Sequence, residues 1–499
     1  MLLFKNKIME NTKVIKNIKL TNTQIFSGFF WRLAERCGSQ GISFIVMLIL
    51  ARMLGPEEYG TVALVTVVIN ILQVFVDSGL GNALIQKKNA DDIDFSTVFY
   101  FNCSVCLLIY VLLFFLAPFI AVFYHNDSLT NLIRVLSISV IISGVRNVQQ
   151  AIIARGLLYQ KFFLSTAWGT IISAIIGITM AYCDAGIWAL VMQQLSNICV
   201  GTIVLWHIVP WRPHWVFSIN RLRLLYTYAW KLLVSALLDT CCNNLQQLIV
   251  GKFYSPMDLA FFNQGKKFPE ILVANIDTSI NGVLLPVMSQ EQDNKTRIKS
   301  MARRAIKVSS FLIWPLMVGT ILVAEPLIRV LLTDKWVPMV PFLKIFCLYF
   351  ALWPIHTVNL SSINAIGRSD IFLKLELVKK CVEFLILATT MYFEPLVIAY
   401  GILLAGVIGT FINAYPNKDF LAYSYNDQFR DIYPYVLVSI SMGCCLYPVR
   451  WLGLGDVITI TVDVLGGCII YLALSKLFNL ESYLYMEEIF LTRVKRHRF

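Results

Sequence analysis

Apolar blocks of about 20 residues recur along almost the whole of this 499-residue chain, and they constrain its fold more than any other feature. A block of this length, folded as an α-helix, crosses a hydrocarbon core ~30 Å thick. Apolar residues make up 58% of the chain and charged residues 14%, whereas a soluble domain has about 25% charged residues. The sequence therefore predicts an all-α polytopic membrane protein.

We predict about fourteen transmembrane helices from these blocks. They leave only short loops and two short tails, so no stretch is long enough to form a separate soluble domain. The predicted spans cover residues 29–53, 61–84, 96–122, 129–153, 162–182, 187–209, 228–250, 268–288, 308–331, 339–363, 372–393, 395–415, 432–449 and 457–477.

The ends of the first span are repeated, in chemical terms, at the ends of the seventh. Trp31-Arg32-Leu33 opens span 1 and Trp230-Lys231-Leu232 opens span 7, and each span is followed by a basic residue and then Pro56 or Pro256. The copies are offset by 199 residues at the tryptophans and 200 at the prolines. Span 7 comes six spans after span 1, and because this offset is an even number both copies have the same orientation and the repeat is parallel.

The repeat predicts two pseudo-symmetric six-helix lobes, with two further C-terminal helices, around a central cleft. This cleft is the expected path of a substrate. The predicted segments are a cytoplasmic basic tail (1–28), the N-lobe (29–209), a cytoplasmic or interfacial linker (210–227), the C-lobe (228–415), a cytoplasmic linker (416–431), the last two helices (432–477) and a cytoplasmic basic tail (478–499).

Lysine and arginine are concentrated in alternate loops, and this predicts the orientation because basic loops stay in the cytoplasm. The segment from Lys295 to Lys307 contributes most. With fourteen spans both termini are cytoplasmic, and the N-terminus lacks the apolar core and cleavage site of a signal peptide. The net charge of +12 suits an anionic leaflet, so we expect membrane lipids, and no nucleic acid, as partners.

Spans 1 and 7 each carry a polar face, which must be turned towards protein or water rather than lipid. In span 1, Arg32, Glu35, Arg36 and Ser39 share one side of a helix. Arg32 is near the cytoplasmic edge, where a long side chain reaches the interface at low cost, so interfacial anchoring and a function in the cleft both stay open. The face of span 7, expected to lie opposite, consists of Asp239, Asn243, Gln246 and Gln247.

Other polar residues within the spans suggest two kinds of site. Arg146, in the cytoplasmic half of span 4, is followed by several polar residues. An arginine near a cytoplasmic opening suits an anionic headgroup, because it can grip phosphate with two parallel hydrogen bonds. Asp239 and Asp277 have no local partner and are the candidates for a cation or proton site.

Span 11 contains four charges that we interpret as structural. Glu376 and Lys380 form one i,i+4 pair, and Lys379 and Glu383 form another. Such pairs lie on one face of a helix and neutralise each other.

No motif for bond-making chemistry is visible. The sequence has no GxxxxGK[ST] phosphate loop and no GxSxG motif, and its five histidines are scattered. Cys103 and Cys106 have a metal or redox spacing but lie inside a span without a second pair, so we interpret them as small buried apolar residues. We therefore expect a transporter rather than an enzyme, without a metal or cofactor.

Several loop motifs resemble those of a known family. They are Ala51-Arg-Met-Leu-Gly-Pro-Glu-Glu-Tyr-Gly60, Asp77-Ser-Gly-Leu-Gly-Asn-Ala-Leu-Ile-Gln86, Gly251-Lys-Phe-Tyr-Ser-Pro256, Phe262-Asn-Gln-Gly-Lys-Lys-Phe-Pro269 and Asn364-Ala-Ile-Gly-Arg-Ser-Asp370. Over residues 25–420 the chain is similar to the Wzx-type lipopolysaccharide and exopolysaccharide flippases, in the superfamily of the MATE exporters and the lipid II flippase. These motifs indicate the family but name no substrate.

The resemblance implies a monomer in the bacterial inner membrane that moves undecaprenyl-diphosphate-linked oligosaccharide to the periplasmic leaflet by alternating access. It implies coupling to H⁺ or Na⁺, and polysaccharide polymerase or assembly proteins as partners. The implied partners of the diphosphate are Arg32, Arg36, Arg146 and Arg155. We add Lys231 to the candidates for substrate binding, and the candidates for ion coupling are Asp239, Asp277 and Glu35.

Two other functions remain open from the sequence. A MATE-like exporter of small cations would share the fold, although a basic cleft mouth would repel such cargo. A membrane polymerase or acyltransferase would need a large external loop. The longest predicted loop outside the cytoplasm, residues 251–267, is too short for a catalytic domain.

Overall fold

The computed structural model describes residues 22–77, 79–87 and 90–496, except for the side chains of some helical residues. This part of the chain contains no β-strand. Two 3-10 helices, Asp334–Met339 and Tyr447–Leu452, accompany the α-helices. The α-helices are α1 Asn22–Met53, α2 Pro56–Asp77, α3 Leu80–Gln86, α4 Asp92–Tyr124, α5 Ser128–Leu136, α6 Ile138–Gly156, α7 Tyr159–Tyr182, α8 Ile187–Ile208, α9 Ile219–Phe253, α10 Pro256–Gln290, α11 Lys295–Leu331, α12 Val340–Ala351, α13 Trp353–Ala365, α14 Ser369–Thr390, α15 Pro395–Leu421, α16 Tyr425–Leu446, α17 Asp456–Leu477 and α18 Glu481–Arg496.

Eleven helical segments of the described chain are long and apolar enough to cross a membrane. They coincide with predicted spans 2–6, 8–10 and 12–14, so the prediction of an all-helical membrane protein is confirmed. The other three predicted spans fall on α1, α9 and α14, which are 32, 35 and 22 residues long. These three helices carry the polar and charged faces noted in the sequence.

Acidic and hydroxyl side chains accept hydrogen bonds from backbone N–H groups at the starts of two helices. Before α4, the Asp91 carboxylate accepts from the Asp94 N–H at 3.1 Å, and the Asp94 carboxylate accepts from the Asp91 N–H at 3.1 Å. Ser424 and Asp427 form the same reciprocal cap at α16. A cap of this kind stabilises a helix by about 1 kcal/mol, because it satisfies N–H groups that lack a partner within the helix.

The repeated motif produces the same local structure twice. α1 ends at Met53 and α9 at Phe253, and the next helices begin at Pro56 and Pro256. Proline suits the first position of a helix because its ring fixes φ and its missing N–H is not needed there. Gly60 packs directly on the Pro256 backbone, and a Cβ at Gly60 would collide with the Pro256 carbonyl. The two copies of the turn are therefore in backbone contact.

The described chain divides into two compact units between Ala260 and Phe261, which we call unit 1 and unit 2. In unit 1, α7 packs along α8 and α1, and α4 packs along α6. Its core includes the fully buried side chains of Leu84, Phe95 and Val148.

Unit 2 is organised around α11, which packs against α12, α16 and α17. One apolar cluster includes Ile306 and Tyr423, and another includes Phe311, Tyr435 and Tyr471. α14 packs along α15 in the same unit. The long helix α11 therefore contributes to both clusters.

The segment predicted as a linker, residues 210–227, is not independent of its neighbours. Trp211 is buried against Phe95 and Phe99 in the core of unit 1. α9 begins at Ile219, inside the predicted linker, and packs on α2, α3 and α4. Because of these contacts the whole of α9 belongs to unit 1, whereas the sequence analysis put span 7 in the second lobe.

An ion pair fastens the start of α9 to the start of α4. Arg221 donates from Nη1 to both carboxylate oxygens of Asp91 at 2.6 Å. Burial acts to raise the pKa of Asp91, but hydrogen bonds from Asp94 and Arg221 outweigh it, so this pKa lies below its usual value.

The predicted tails and the second linker are partly helical. Residues 1–21 of the predicted N-terminal tail lie outside the described residues, and α1 begins at Asn22. In the predicted C-terminal tail, α18 extends from Glu481 to Arg496. The linker predicted over 416–431 is shared between the end of α15 and the start of α16.

Candidate functional site

Unit 1 contains a polar cavity of about 300 Å³ between α2, α3, α6 and α7, which we call the Arg146 cavity. Arg146 is the only charged residue among the described side chains that line it. Since liquid water takes ~30 Å³ per molecule, this volume can hold a phosphate group or a sugar ring. The lining residues are Gln73, Gly81, Asn82, Ile85, Ser143, Arg146, Asn147, Gln150, Ala151, Ile153, Ala154, Tyr159 and Phe162.

Arg146 is oriented by its neighbour on the same face of α6. With the amide oxygen of Gln150 turned towards it, Arg146 donates from Nε and Nη2 to Gln150 Oε1 at 3.0 and 2.8 Å. Gly201 on α8 leaves room beside the guanidinium, since a Cβ there would lie 3.7 Å from Arg146 Nη1. An amide acceptor orients a guanidinium without cancelling its positive charge.

Asn147 fixes the helix that carries Arg146. Its Nδ2 donates to the Val76 carbonyl at 3.0 Å, and its Oδ1 accepts from Asn102 Nδ2 at 3.1 Å. Gly81 approaches closely, because a Cβ there would lie 2.9 Å from Asn147 Oδ1. Asn147 is therefore hydrogen-bonded to α2 and α4 and in close contact with α3, and it holds α6 in place.

Arg155, an implied partner of the diphosphate, has backbone contacts that are structural. Its Nη1 donates to the carbonyls of Leu84 and Lys87 at 2.9 and 2.6 Å. These carbonyls are at the C-terminal end of α3, where helix carbonyls lack partners within the helix. Arg155 does not line the cavity, so the structure does not bring it together with Arg146.

Asp239 and Asp277, the candidates for an ion site, are in different surroundings. Asp239 is exposed on α9 in unit 1. Asp277 is 9% exposed on α10 in unit 2, and its Oδ1 has no hydrogen-bond partner among the described residues. No cluster of three metal-binding side chains occurs in the described part of the chain. Four predicted site residues have side chains outside the described structure, namely Arg32, Glu35, Arg36 and Lys231.

A buried chain of neutral polar side chains in unit 2 was missed in the sequence. His356 Nδ1 and Asn413 Nδ2 are 2.9 Å apart, and one turn further on Asn417 Nδ2 donates to Asn359 Oδ1 at 2.6 Å. Asn359 Nδ2 in turn donates to Gln428 Oε1 at 3.0 Å. The signal was the spacing of three or four residues between polar positions on the otherwise apolar helices α13 and α15.

Charged side chains link α11 to α16 in unit 2, and we call this set the Arg303–Asp431 network. Asp431 is 3% exposed and accepts from Arg303 Nε and Nη2 at 2.7 and 2.8 Å. It also accepts from the Tyr423 hydroxyl at 2.8 Å, and Lys307 Nζ is 3.4 Å from its Oδ1. The negative charge of Asp431 is therefore fully committed to contacts within the protein.

The charges of predicted span 11 pair with each other, but not in the predicted combination. On α14, Lys379 Nζ is 2.5 Å from Glu376, and Lys380 Nζ is 3.3 Å from Glu383. These are i,i+3 pairs, so the predicted i,i+4 assignment was wrong. Both spacings lie on one helix face, and sequence spacing alone does not choose between them.

An apolar groove of about 380 Å³ lies between α11, α16 and α17 in unit 2. Leu316, Val323 and Leu472 are among the residues that line it. Asp463 also lines it and is 6% exposed. Walls of this kind suit a hydrocarbon chain.

Residues 49–341 match the sequence model of a family described as polysaccharide biosynthesis protein. The chain belongs to this family. The match begins in α1 and ends in α12, so it covers the Arg146 cavity and omits the buried chain around His356. The resemblance seen in the loop motifs is thereby confirmed.

Three proteins of polysaccharide biosynthesis are similar in sequence to this chain. The succinoglycan biosynthesis transport protein ExoT of Rhizobium meliloti (strain 1021) is 24% identical over 64% of this chain and 64% of its own length, so the chain spans slightly under two thirds of that relative. The teichuronic acid biosynthesis protein TuaB of Bacillus subtilis (strain 168) is 24% identical over 70% of this chain and 72% of its own length. The lipopolysaccharide biosynthesis protein WzxC of Escherichia coli (strain K12) is 21% identical over 77% of this chain and 76% of its own length.

Two solved structures show the fold of this polysaccharide biosynthesis protein. The lipid II flippase MurJ, in an inward closed conformation, matches with a TM-score of 0.72 and 16% identity, over 88% of this chain and 98% of that chain. An inward-facing MATE multidrug transporter of the MOP superfamily matches with a TM-score of 0.60 and 16% identity, over 77% of this chain and 96% of that chain. The chain therefore has the fold of these two structures.

Proposed function

We propose that this polysaccharide biosynthesis protein is a flippase that moves undecaprenyl-diphosphate-linked oligosaccharide from the cytoplasmic to the periplasmic leaflet by alternating access. The cargo would be a repeat unit of lipopolysaccharide, capsule or exopolysaccharide. The Arg146 cavity carries the proposal, because it combines an oriented guanidinium with neutral amides between helices that are long and apolar enough to span a membrane. Guanidinium groups bind phosphates with two parallel hydrogen bonds.

A lipid-linked cargo needs an apolar surface as well as a polar one. The groove lined by Leu316, Val323 and Leu472 in unit 2 supports this part of the proposal. The relatives support a glycan cargo, since their names refer to succinoglycan, teichuronic acid and lipopolysaccharide biosynthesis.

The architecture that we propose has fourteen transmembrane helices, in two six-helix lobes and a C-terminal pair, with both termini in the cytoplasm. The protein would act as a monomer in the bacterial inner membrane, beside the enzymes that polymerise the glycan. The positions of α1, α9 and α14 support this count, because each coincides with a predicted span that carries a polar face. The matching turns at Pro56 and Pro256 support the parallel repeat.

Within this proposal Arg146 contacts the diphosphate, and Arg155 supports the adjacent end of α3. Asp277 is the leading candidate for coupling to H⁺ or Na⁺, because a buried carboxylate oxygen without a hydrogen-bond partner among the described residues gains most from a bound cation. The further proposed basic partners are Arg32, Arg36 and Lys231, and the further acidic candidates are Asp239 and Glu35.

The direct test is transport by the purified protein in lipid vesicles. A fluorescent undecaprenyl-diphosphate oligosaccharide is placed in one leaflet, and its arrival in the other is measured with a membrane-impermeant quencher. We expect transport well above that of protein-free vesicles, accelerated by a proton or sodium gradient. The same vesicles are tested with a fluorescent organic cation.

Movement of the cation without movement of the lipid-linked sugar would contradict the proposal and favour a MATE-like exporter. Elongation of the oligosaccharide by the purified protein would indicate a polymerase instead. A gradient without effect on a working flippase would contradict only the ion coupling.

A further inference from the structure

A second, strongly basic cavity lies in unit 2, between the first turns of α11 and the C-terminal helix α18. We call it the basic cavity, and its volume is about 800 Å³. This size is within the range of ligand sites in proteins, about 300–1,000 Å³. It is lined by Arg297, Ser300, Met301, Arg303, Arg304, Lys307, Val308, Glu481, Ser482 and Tyr485.

Charge in the basic cavity is unevenly balanced. Four cations line it together with one carboxylate, that of Glu481, which pairs with Lys307. Arg303 pairs with Asp431, and Arg297 pairs with Glu291 at 2.8 Å, but neither of these carboxylates lines the cavity. Arg304 differs from these, because no carboxylate among the described residues lies within ion-pair distance of it. An anion would therefore find an available guanidinium here.

Arg304 is nevertheless held in place. Its Cζ lies 3.7 Å from the centre of the Tyr485 ring, a cation–π contact that orients the guanidinium plane. Three hydroxyl groups line the same cavity, but two of them already have partners, since Ser300 Oγ donates to the Arg297 carbonyl at 2.8 Å and Ser482 Oγ lies 2.8 Å from the Tyr435 hydroxyl. The Tyr485 hydroxyl is therefore the one of the three that can donate a hydrogen bond to a ligand. An oriented guanidinium beside a hydroxyl donor suits a phosphate.

We propose that the basic cavity binds the phosphate headgroup of an anionic phospholipid of the cytoplasmic leaflet. Basic pockets beside transmembrane helices at the cytoplasmic surface recognise such headgroups. Lys295 to Lys307 is the segment that most strongly predicts a cytoplasmic position. The proposal concerns a resident lipid in unit 2, separate from the cargo site around Arg146 in unit 1.

Apolar side chains next to the charges favour a lipid over a free phosphate. Met301 and Val308 line the cavity together with the cations. On α18, Leu484 and Met486 are 45% and 42% exposed on either side of Tyr485. Acyl chains would cover these side chains, whereas inorganic phosphate would leave them in contact with water.

The test is lipid binding by the full-length protein in discs of neutral phosphatidylcholine. Fluorescent phosphatidylglycerol is titrated in, and its affinity is measured for the wild type and three variants. Arg304→Gln should weaken binding about tenfold or more, because hydrogen bonds to a charged group contribute this much to affinity. Glu481→Gln should strengthen binding a few-fold, because it removes the one carboxylate that lines the cavity and so frees Lys307 for the headgroup.

Arg329→Gln is the matched control, since Arg329 lies at the other end of α11 and pairs with Glu325. Its affinity should equal that of the wild type. Wild-type binding by Arg304→Gln would overturn the proposal, and so would weaker binding by Glu481→Gln at an unchanged melting temperature.

Soluble anions distinguish the source of the phosphate. Glycerol phosphate and inorganic phosphate should displace the fluorescent lipid only at concentrations far above that of the lipid. Equal affinity for soluble phosphate would overturn the assignment to a lipid. None of these measurements depends on transport, so the flippase proposal can fail or succeed independently of them.

Discussion

Arg146 in unit 1 and Arg303 in unit 2 are both held by hydrogen bonds, but to acceptors of different charge. Arg146 donates to the neutral amide of Gln150 at the edge of a cavity. Arg303 donates to the carboxylate of Asp431, which is 3% exposed. The amide of Gln150 orients Arg146 without adding a negative charge of its own, whereas the buried carboxylate of Asp431 makes Arg303 a structural link between two helices.

The comparison predicts that damage to the two sites will affect different measurements. Loss of a charge in the Arg303–Asp431 network should lower the stability of the folded protein. Loss of the charge in the Arg146 cavity should lower transport while the protein remains folded. The four predictions below run from the largest expected change in free energy to the smallest.

Asp431→Asn should destabilise the protein most. Removing one partner of a buried ion pair costs about 3–5 kcal/mol, and the partial exposure of Arg303 reduces this to about 2–3 kcal/mol. The free energy of unfolding is measured by denaturant titration in detergent micelles. Glu325→Gln is the control, because it breaks an exposed pair with Arg329 and should cost less than about 1 kcal/mol. Equal stability of the two variants would show that Asp431 is not a structural link.

Arg146→Gln should lower the initial rate of lipid-linked oligosaccharide transport at least about tenfold, because it removes charged hydrogen bonds to the diphosphate. The melting temperature should stay within a few degrees of the wild type. Arg146→Lys should be intermediate, since lysine keeps the charge without the two parallel donors. Arg134, whose Cζ is 4.2 Å from the Phe114 ring centre, is the control. A similar loss of transport in Arg134→Gln would show that the effect of Arg146→Gln is not specific to the cavity.

Gln150→Glu turns the acceptor of Arg146 into a carboxylate and so imitates the arrangement around Arg303. Transport should fall about fivefold, because the new ion pair competes with the diphosphate for the guanidinium. Stability should be unchanged or slightly higher. Wild-type transport by this variant, measured in the same vesicles, would contradict the role given to the neutral amide.

Asp370→Asn should have the smallest effect on stability, and its pH dependence should differ from that of the wild type only at acidic pH. Arg368 donates to both carboxylate oxygens of Asp370 at 2.9 Å, and this lowers the pKa of Asp370 from 3.8 to about 2. The contribution to stability is present above pH ~4 and is lost as the pH falls towards 2, because protonation removes the charged acceptor. The melting temperature of Asp370→Asn should therefore fall less than that of the wild type between pH 5 and 3. If the melting temperatures of the variant and the wild type changed equally with pH, the Arg368–Asp370 pair would not contribute to stability.

The residues that share a helix face could be predicted, because helix geometry determines them, although the choice of partner on that face could not. Arg146 was singled out from the sequence because polar residues follow it, and one of these, Gln150, shares its face of α6. Pro56 and Pro256 likewise predict the helix starts at which they lie. The apolar blocks predict eleven of the membrane helices directly.

Contacts between distant residues could not be predicted. Arg303 and Asp431 are 128 residues apart, and the local sequence of neither helix indicates which residue of the other it contacts. Trp211 lies in the segment predicted as a cytoplasmic or interfacial linker, yet tertiary packing buries it. The polar chain from His356 to Gln428 was missed because its members are neutral, and the sequence analysis gave most weight to charges.

The Arg303–Asp431 network also has a consequence for the order of events during synthesis. A ribosome that adds roughly 5–20 residues per second makes Asp431 about 6–26 s after Arg303. Throughout that interval the basic start of α11 has no Asp431 to pair with, and the anionic leaflet holds it at the cytoplasmic surface. We expect the cations to orient α11 first, and the carboxylate on α16 to lock that orientation when it arrives. The cations at the start of α11 would thus act twice, first in insertion and later in the folded protein.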